Sequence, residues 1–173
     1  MEKYLPDMYK ENIYKINYDK LKEIGIKCLL FDLDNTIVPF REKEPRMETK
    51  ELFYKLKQKD FKIIIFSNSP KIRLMPFKEE LNVEIYGNAR KPHRKSFCNV
   101  LKKYKFNENE VAIIGDQMLT DIVGGNRVGI TTILITPLES KDPFWTIPNR
   151  IRERRIMQQL RDKSLFKKGK YYE

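Results

Sequence analysis

The chain has 173 residues, a formal net charge of +11, 40% hydrophobic residues and 34% charged ones. That length suits one domain with a real core. No apolar run approaches the length a transmembrane helix needs. The first 20 residues lack the hydrophobic core of a secretory signal, which favours a cytoplasmic location. The positive balance favours anionic partners (phosphate esters, acidic lipid or nucleic acid) over a charge that serves solubility alone.

Residues 1–23 are tyrosine-rich, with Tyr4, Tyr9, Tyr14 and Tyr18, and Pro6 rules out a long helix from the start. A short helix is expected over 19–23, before Gly25. The first strand is expected over 27–33, where an apolar run leads into Asp32-Leu33-Asp34-Asn35-Thr36. A polar loop over 40–47 then precedes a helix whose face carries Leu52, Phe53 and Leu56. A second, β-branched run over 61–66 ends in Ser67-Asn68-Ser69-Pro70. A helix over 71–81, with Pro76 as an interruption, leads to a short third strand over 82–86. Lys91-Pro92 opens the next helix, with Pro92 as its first residue; Phe97, Val100, Leu101 and Tyr104 recur there at helical spacing. A fourth strand over 111–114 precedes Gly115-Asp116 and a helix over 120–127, and a fifth strand covers 131–135. Cys28 and Cys98 read as lone buried thiols, not a disulfide or a metal site.

Strands alternating with helices predict a parallel sheet in a three-layer α/β sandwich, its five strands in the order 3-2-1-4-5. The expected organisation is one domain over 1–173, with a core over about 26–136 and flanking segments over 1–25 and 144–173. In such a sheet the strand ends open on one edge, where α/β folds place their sites. Four polar signals follow four strand ends: Asp32 and Asp34, then Ser67-Asn68, then Lys91, then Asp116 with Asp121. A buried strand that ends in two carboxylates needs a metal ion or a cationic partner. The set suits phosphoryl transfer. A carboxylate can take the phosphoryl group, and a second one can move the proton. Magnesium prefers carboxylate and carbonyl oxygens, and a lysine supplies a point charge to the phosphoryl. His93, the single histidine, reads as a first-turn surface residue and not as a base.

These four signals resemble the motifs of the haloacid dehalogenase (HAD) superfamily of phosphohydrolases, over about residues 28–135. The resemblance implies that Asp32 is the nucleophile and a metal ligand. Asp34 would be the general acid and base, and would bind magnesium through its backbone carbonyl. Ser67, with Asn68 beside it, would bind phosphate. Lys91 would neutralise the phosphoryl group and the nucleophile, and Asp116 would ligate Mg2+. Asp121 would support the metal or Lys91 from behind, and Thr36 would help shape the turn after the nucleophile and bind substrate. The gaps over 37–66 and 70–90 are too short to hold a cap domain. An open site suits a phosphate presented on a large surface.

The flanks, Tyr4-Leu5-Pro6-Asp7, Ile24-Gly25-Ile26-Lys27 and the segment from Trp145 to Asn149-Arg150, resemble the YqeG-like branch of type IIIA HAD phosphatases. That branch is similar to the enzymes of mitochondria and plastids that dephosphorylate phosphatidylglycerophosphate. The resemblance implies this phospholipid as substrate at the membrane face. A nucleic-acid end, a phosphoprotein or a soluble ester stands as the alternative, as does an RNA- or ribosome-binding role with secondary catalysis. The basic C-terminal helix expected over 148–163 has three readings: a peripheral membrane contact that uses Phe144, Trp145, Ile151, Ile156 and Leu160, a nucleic-acid contact, or a helix packed on the sheet with its arginines in water.

Overall fold

The computed structural model describes residues 1–139 and 144–173, apart from the Trp145 side chain. Six strands form one parallel sheet: β1 (Met8–Lys10), β2 (Cys28–Phe31), β3 (Lys62–Phe66), β4 (Glu84–Tyr86), β5 (Val111–Gly115) and β6 (Thr131–Ile135). Their order is β1-β6-β5-β2-β3-β4. The five expected strands therefore lie in the expected order, and a sixth is added beside β6. That strand escaped the sequence reading because Met-Tyr-Lys is too short to show a period.

The central strand, β2, is buried on both faces. Its alternate residues serve different layers, as the two-residue period requires. Leu29 and Phe31 join Ile63, Ile65 and Ile114 under α1 (Tyr18–Glu23), α2 (Met47–Gln58) and α3 (Lys71–Leu81), through Leu21, Phe53, Leu56, Leu74 and Phe77. Cys28 and Leu30 join Ile64, Phe66 and Ile113 under α4 (Arg94–Tyr104), through Phe97, Val100 and Leu101. A third cluster joins Tyr9 of β1 and Leu134 of β6 to Ile156 and Leu160 of α6 (Ile147–Asp162) and to Phe166. Two of the residues considered for a membrane interface are thus buried in the protein. The end of the chain also reaches β1, where Tyr9 and Tyr172 exchange backbone hydrogen bonds of 2.8 and 2.9 Å.

Four further expectations are corrected. Pro76 lies inside α3 without ending it. The Lys91–Pro92 peptide bond is cis, and the helix starts two residues later, at Arg94 with exposed His93 as its N-cap, so Pro92 is not its first residue. The helix expected over 120–127 is a π turn at Met118–Ile122 followed by α5 (Val123–Val128). Cys98 is exposed on α4, while Cys28 is buried in β2 as expected. Among the described residues no helix is long and apolar enough to cross a membrane. No cap module interrupts the segments from β2 to β3 or from β3 to β4.

Candidate active site

The carboxyl ends of β2, β3 and β5 carry the polar signals read from the sequence, and the cis Lys91–Pro92 turn folds over the same edge. Asp32 extends the ladder of β2, its N–H donating to the Ile114 carbonyl at 2.9 Å. The chain then turns tightly. The N–H groups of Thr36, Ile37 and Val38 all converge on the Leu33 carbonyl. Asn35 takes the left-handed conformation at φ 60°, which asparagine tolerates better than most residues. This turn sends Asp34 and Thr36 in different directions.

Lys91 sits at the centre. Its Nζ donates to Asp32 Oδ1 at 2.9 Å, to Asp121 Oδ1 at 2.6 Å and to the Phe66 carbonyl at 2.9 Å. All three donor hydrogens are used, so the ammonium has a fixed position. Burial pulls its pKa down, but Asp121 and Asp32 outweigh burial and hold it above the ordinary lysine value. The backbone on either side is also pinned: Asn68 Oδ1 accepts from the Lys91 N–H at 2.6 Å, and Asn68 Nδ2 donates to the Lys91 carbonyl at 3.2 Å. Asn68 thus anchors the lysine turn. Ser67 lies at the cleft surface, its Oγ accepting from the Ser69 N–H at 3.1 Å.

Asp121 spends its second oxygen on the Gln117 N–H at 3.2 Å. Gly115 makes room for this carboxylate, because a Cβ there would lie 2.2 Å from Asp121 Oδ2. Asp116 is held from two sides. Thr36 Oγ1 donates to its Oδ1 at 3.2 Å, and the Arg150 guanidinium from α6 binds its Oδ2. Thr36 is fully buried and is placed with Asp116, not with the residues that line the cleft. Asp34 receives Ser69 Oγ at 2.7 Å and Arg73 Nη2 at 2.9 Å. Burial raises its pKa, against the pull of Ser69 and Arg73.

Carboxylate oxygens of Asp32, Asp116 and Asp121 can approach within 4.8 Å of one another. Burial pushes Asp116 up to about 8 despite Arg150, and Asp121 up to about 6 despite Lys91. Glu153 adds a fourth acid by accepting from Arg150 at 3.0 Å. With all four acids ionised, four carboxylates facing two cations carry an excess of two negative charges in a buried region, which a divalent cation would balance. The donors are all oxygens, as a hard ion such as Mg2+ requires, so the residues fit a metal of that type.

Asp32, Asp34, Ser67, Asn68 and Lys91 line one cleft of about 380 Å3, together with Phe40, Gln117, Thr120, Thr146 and Asn149. The sequence reading did not place Arg73, Arg150 or Glu153 in the site. Arg73 falls three residues after Pro70, in the first turn of α3, and nothing in its spacing marks it. Arg150 and Glu153 lie about 30 residues beyond the last strand-end signal. The one clue was the Asn149-Arg150 pair within the flank resemblance.

A carboxylate cluster at the carboxyl edge of an open, capless parallel sheet fits a hydrolase of the HAD class. Known proteins agree. A family model described as HAD-hydrolase-like matches residues 88–141. The Bacillus subtilis protein named "Probable phosphatase YqeG" is 39% identical over 160 residues, covering 92% of this chain and 93% of that protein. The chain belongs to the HAD superfamily and is a phosphatase of that family. Chloroplast phosphatidylglycerophosphate phosphatase 1 of Chlamydomonas reinhardtii is 28% identical over 154 residues, which cover 83% of this chain and 57% of that protein. In structure, a subfamily IIIA HAD hydrolase from Legionella pneumophila matches with a TM-score of 0.54 at 19% identity, covering 73% of this chain and 75% of that one. That likeness is one of fold.

Proposed function

We propose that the protein is a magnesium-dependent phosphomonoesterase that works through an aspartyl-phosphate on Asp32 and acts on phosphatidylglycerophosphate at a membrane surface. The observation that carries the catalytic part is the Lys91 hub, which ties the Asp32 carboxylate to the lysine beside Ser67 in one open cleft. Asp32 and Asp116 would hold the ion through their carboxylates, and Asp34 through its backbone carbonyl. The ion supplies positive charge that offsets the repulsion between carboxylate and phosphate.

The steps by the chain's own residues follow from their environments. An Asp32 oxygen attacks phosphorus, and the bond from phosphorus to the ester oxygen breaks. Asp34, whose pKa burial has raised, gives its proton to the departing oxygen. Lys91 would offset charge on the phosphoryl oxygens, and Ser67 and Asn68, which line the same cleft, would receive the remaining oxygens. Asp34 then takes a proton from water, which attacks the same phosphorus and frees Asp32 with inorganic phosphate. Thr36 and Arg150 orient Asp116, and Asp121 orients Lys91.

The lipid part rests on three supports: the named activity of the Chlamydomonas relative, the capless cleft, and an apolar strip at its rim. Phe144, Ile147 and Ile151 are 77%, 49% and 47% exposed, at helical spacing beside the cleft-lining Thr146 and Asn149. Such a strip beside arginines suits an interface with anionic lipid. The test is phosphate release from a panel of esters: phosphatidylglycerophosphate in mixed micelles, a 5′-phosphorylated oligonucleotide and p-nitrophenyl phosphate, each with Mg2+. The lipid should be the best substrate, and Asp32→Asn should lower its turnover by roughly a thousandfold or more. Retained turnover in Asp32→Asn would exclude the aspartyl-phosphate, and preference for the oligonucleotide would exclude the lipid.

A further inference from the structure

A second cleft, of about 240 Å3, adjoins the catalytic one and shares Asn68, Lys91, Thr120 and Asn149 with it. Its outer wall carries three cations from three distant parts of the chain: Lys3, Arg127 of α5 and Arg152 of α6. No acidic residue lines it among the described residues. The walls are built by specific contacts. Arg127 Nη1 donates to the Pro92 carbonyl at 3.1 Å, which holds the guanidinium beside the catalytic lysine turn. Asn126 Nδ2 donates to the Lys3 and Leu5 carbonyls at 3.1 and 2.8 Å, which fixes the N-terminal segment against α5. Lys3 Nζ lies 5.0 Å from the centre of the Tyr4 ring. Tyr4, Leu119 and Val123 also line the cleft.

Three cations lining a cleft that no described acid lines attract an anion, and two arginine forks suit the oxygens of a phosphate better than those of a single carboxylate. The catalytic cleft already takes the phosphomonoester. We propose that this adjoining cleft is a second anion subsite, formed by Lys3, Arg127 and Arg152, which receives the phosphodiester of a substrate that carries its phosphomonoester a few bonds away. This rests on the phosphatase reading above and adds a requirement to it: the preferred substrate is a bis-anion. The shared chemistry belongs both to a glycerophospholipid head group and to a phosphorylated nucleic-acid end.

The test compares three water-soluble esters with the full-length protein and Mg2+: glycerophosphoglycerol phosphate (the deacylated head group), 5′-phosphorylated dithymidine monophosphate, and p-nitrophenyl phosphate, which has no diester. For Arg127→Gln and Arg152→Gln, kcat/KM for the preferred diester-bearing ester should fall about tenfold more than that for p-nitrophenyl phosphate, mainly through KM. Whichever diester shows the larger ratio identifies the source of the second phosphate. An equal fall for all three esters would overturn the subsite. A separate titration of glycerophosphoglycerol, which lacks the monoester, should shift the Arg127 and Arg152 side-chain NMR resonances; no shift would also overturn it. If the wild type hydrolyses none of the esters, the phosphatase reading fails, while the titration still decides the subsite.

Discussion

Replacing Lys91 with methionine tests the central electrostatic claim about the site. The substitution keeps an unbranched side chain of similar length and removes the charge. The Lys91 side chain is 2% exposed, and its partners Asp32 and Asp121 are 10% and 0% exposed. Removing one member of a buried pair costs about 3–5 kcal/mol, because the charge left behind has neither water nor counter-ion. For a chain of 173 residues this is a fall in Tm of roughly 6–20 °C. The pH dependence follows from Asp121, which burial holds at about 6 even with Lys91 present. Without the lysine its folded pKa rises further above the unfolded value of about 4. The folded variant then binds a proton that folded wild type has already lost, so the deficit against wild type is full above the variant's folded pKa and shrinks as pH falls toward about 6, the wild-type folded value. Lys91 itself stays charged across this range, so its titration adds no slope. Urea unfolding in EDTA, followed by circular dichroism at several pH values between 5 and 8, reads the deficit directly. Adding Asp121→Asn to Lys91→Met should restore more than half of the loss at pH 8. A deficit below about 1 kcal/mol at pH 8, or one that does not shrink toward pH 5, would refute the reasoning.

Three further outcomes are expected. In metal-free wild-type protein, Asp116 and Asp121 have folded pKa values raised to about 8 and about 6 by burial, so stability should decline as pH rises from about 4 to 8. Mg2+ should reverse that decline, with a Tm gain that grows with pH over the same window, as differential scanning calorimetry with and without EDTA would show. Arg150→Met removes the guanidinium from the buried Asp116 carboxylate and should cost the metal-free protein about 2–4 kcal/mol. It should also tighten Mg2+ binding in isothermal titration, because a like charge has left the site; weaker binding would count against that account. Leu160→Ala opens the cluster that seats α6 and should cost about 2–5 kcal/mol in urea unfolding. Because α6 carries Asn149 and Arg150 and starts from Thr146 as its N-cap, it should also lower phosphatase activity more than an exposed change such as Lys102→Ala.

The sequence by itself determined the parts that depend on local pattern. Alternating strands and helices implied a parallel sheet, and a parallel sheet places every strand end on one edge. That was enough to bring Asp32, Asp34, Ser67, Asn68, Lys91 and the Gly115-Asp116 signal together and to exclude a cap, because a cap needs chain length that the two gaps lack. The resemblance of those residues to the HAD motifs then carried the class of enzyme. Only the tertiary structure decided which charges meet. Arg73 reaches Asp34 and Arg150 reaches Asp116 by long side chains that leave no periodic trace. The Arg150 contact also spans 34 residues. Edge strand β1 was invisible for a related reason: three residues have no detectable period, and their place comes from pairing with β6 and from the Tyr172 backbone. The same holds for the basic tail. Its composition allowed water, lipid or nucleic acid, whereas the burial of Ile156 and Leu160 against Tyr9 and Phe166 seats α6 so that its Asn149 lines the cleft of Asp32 and Lys91.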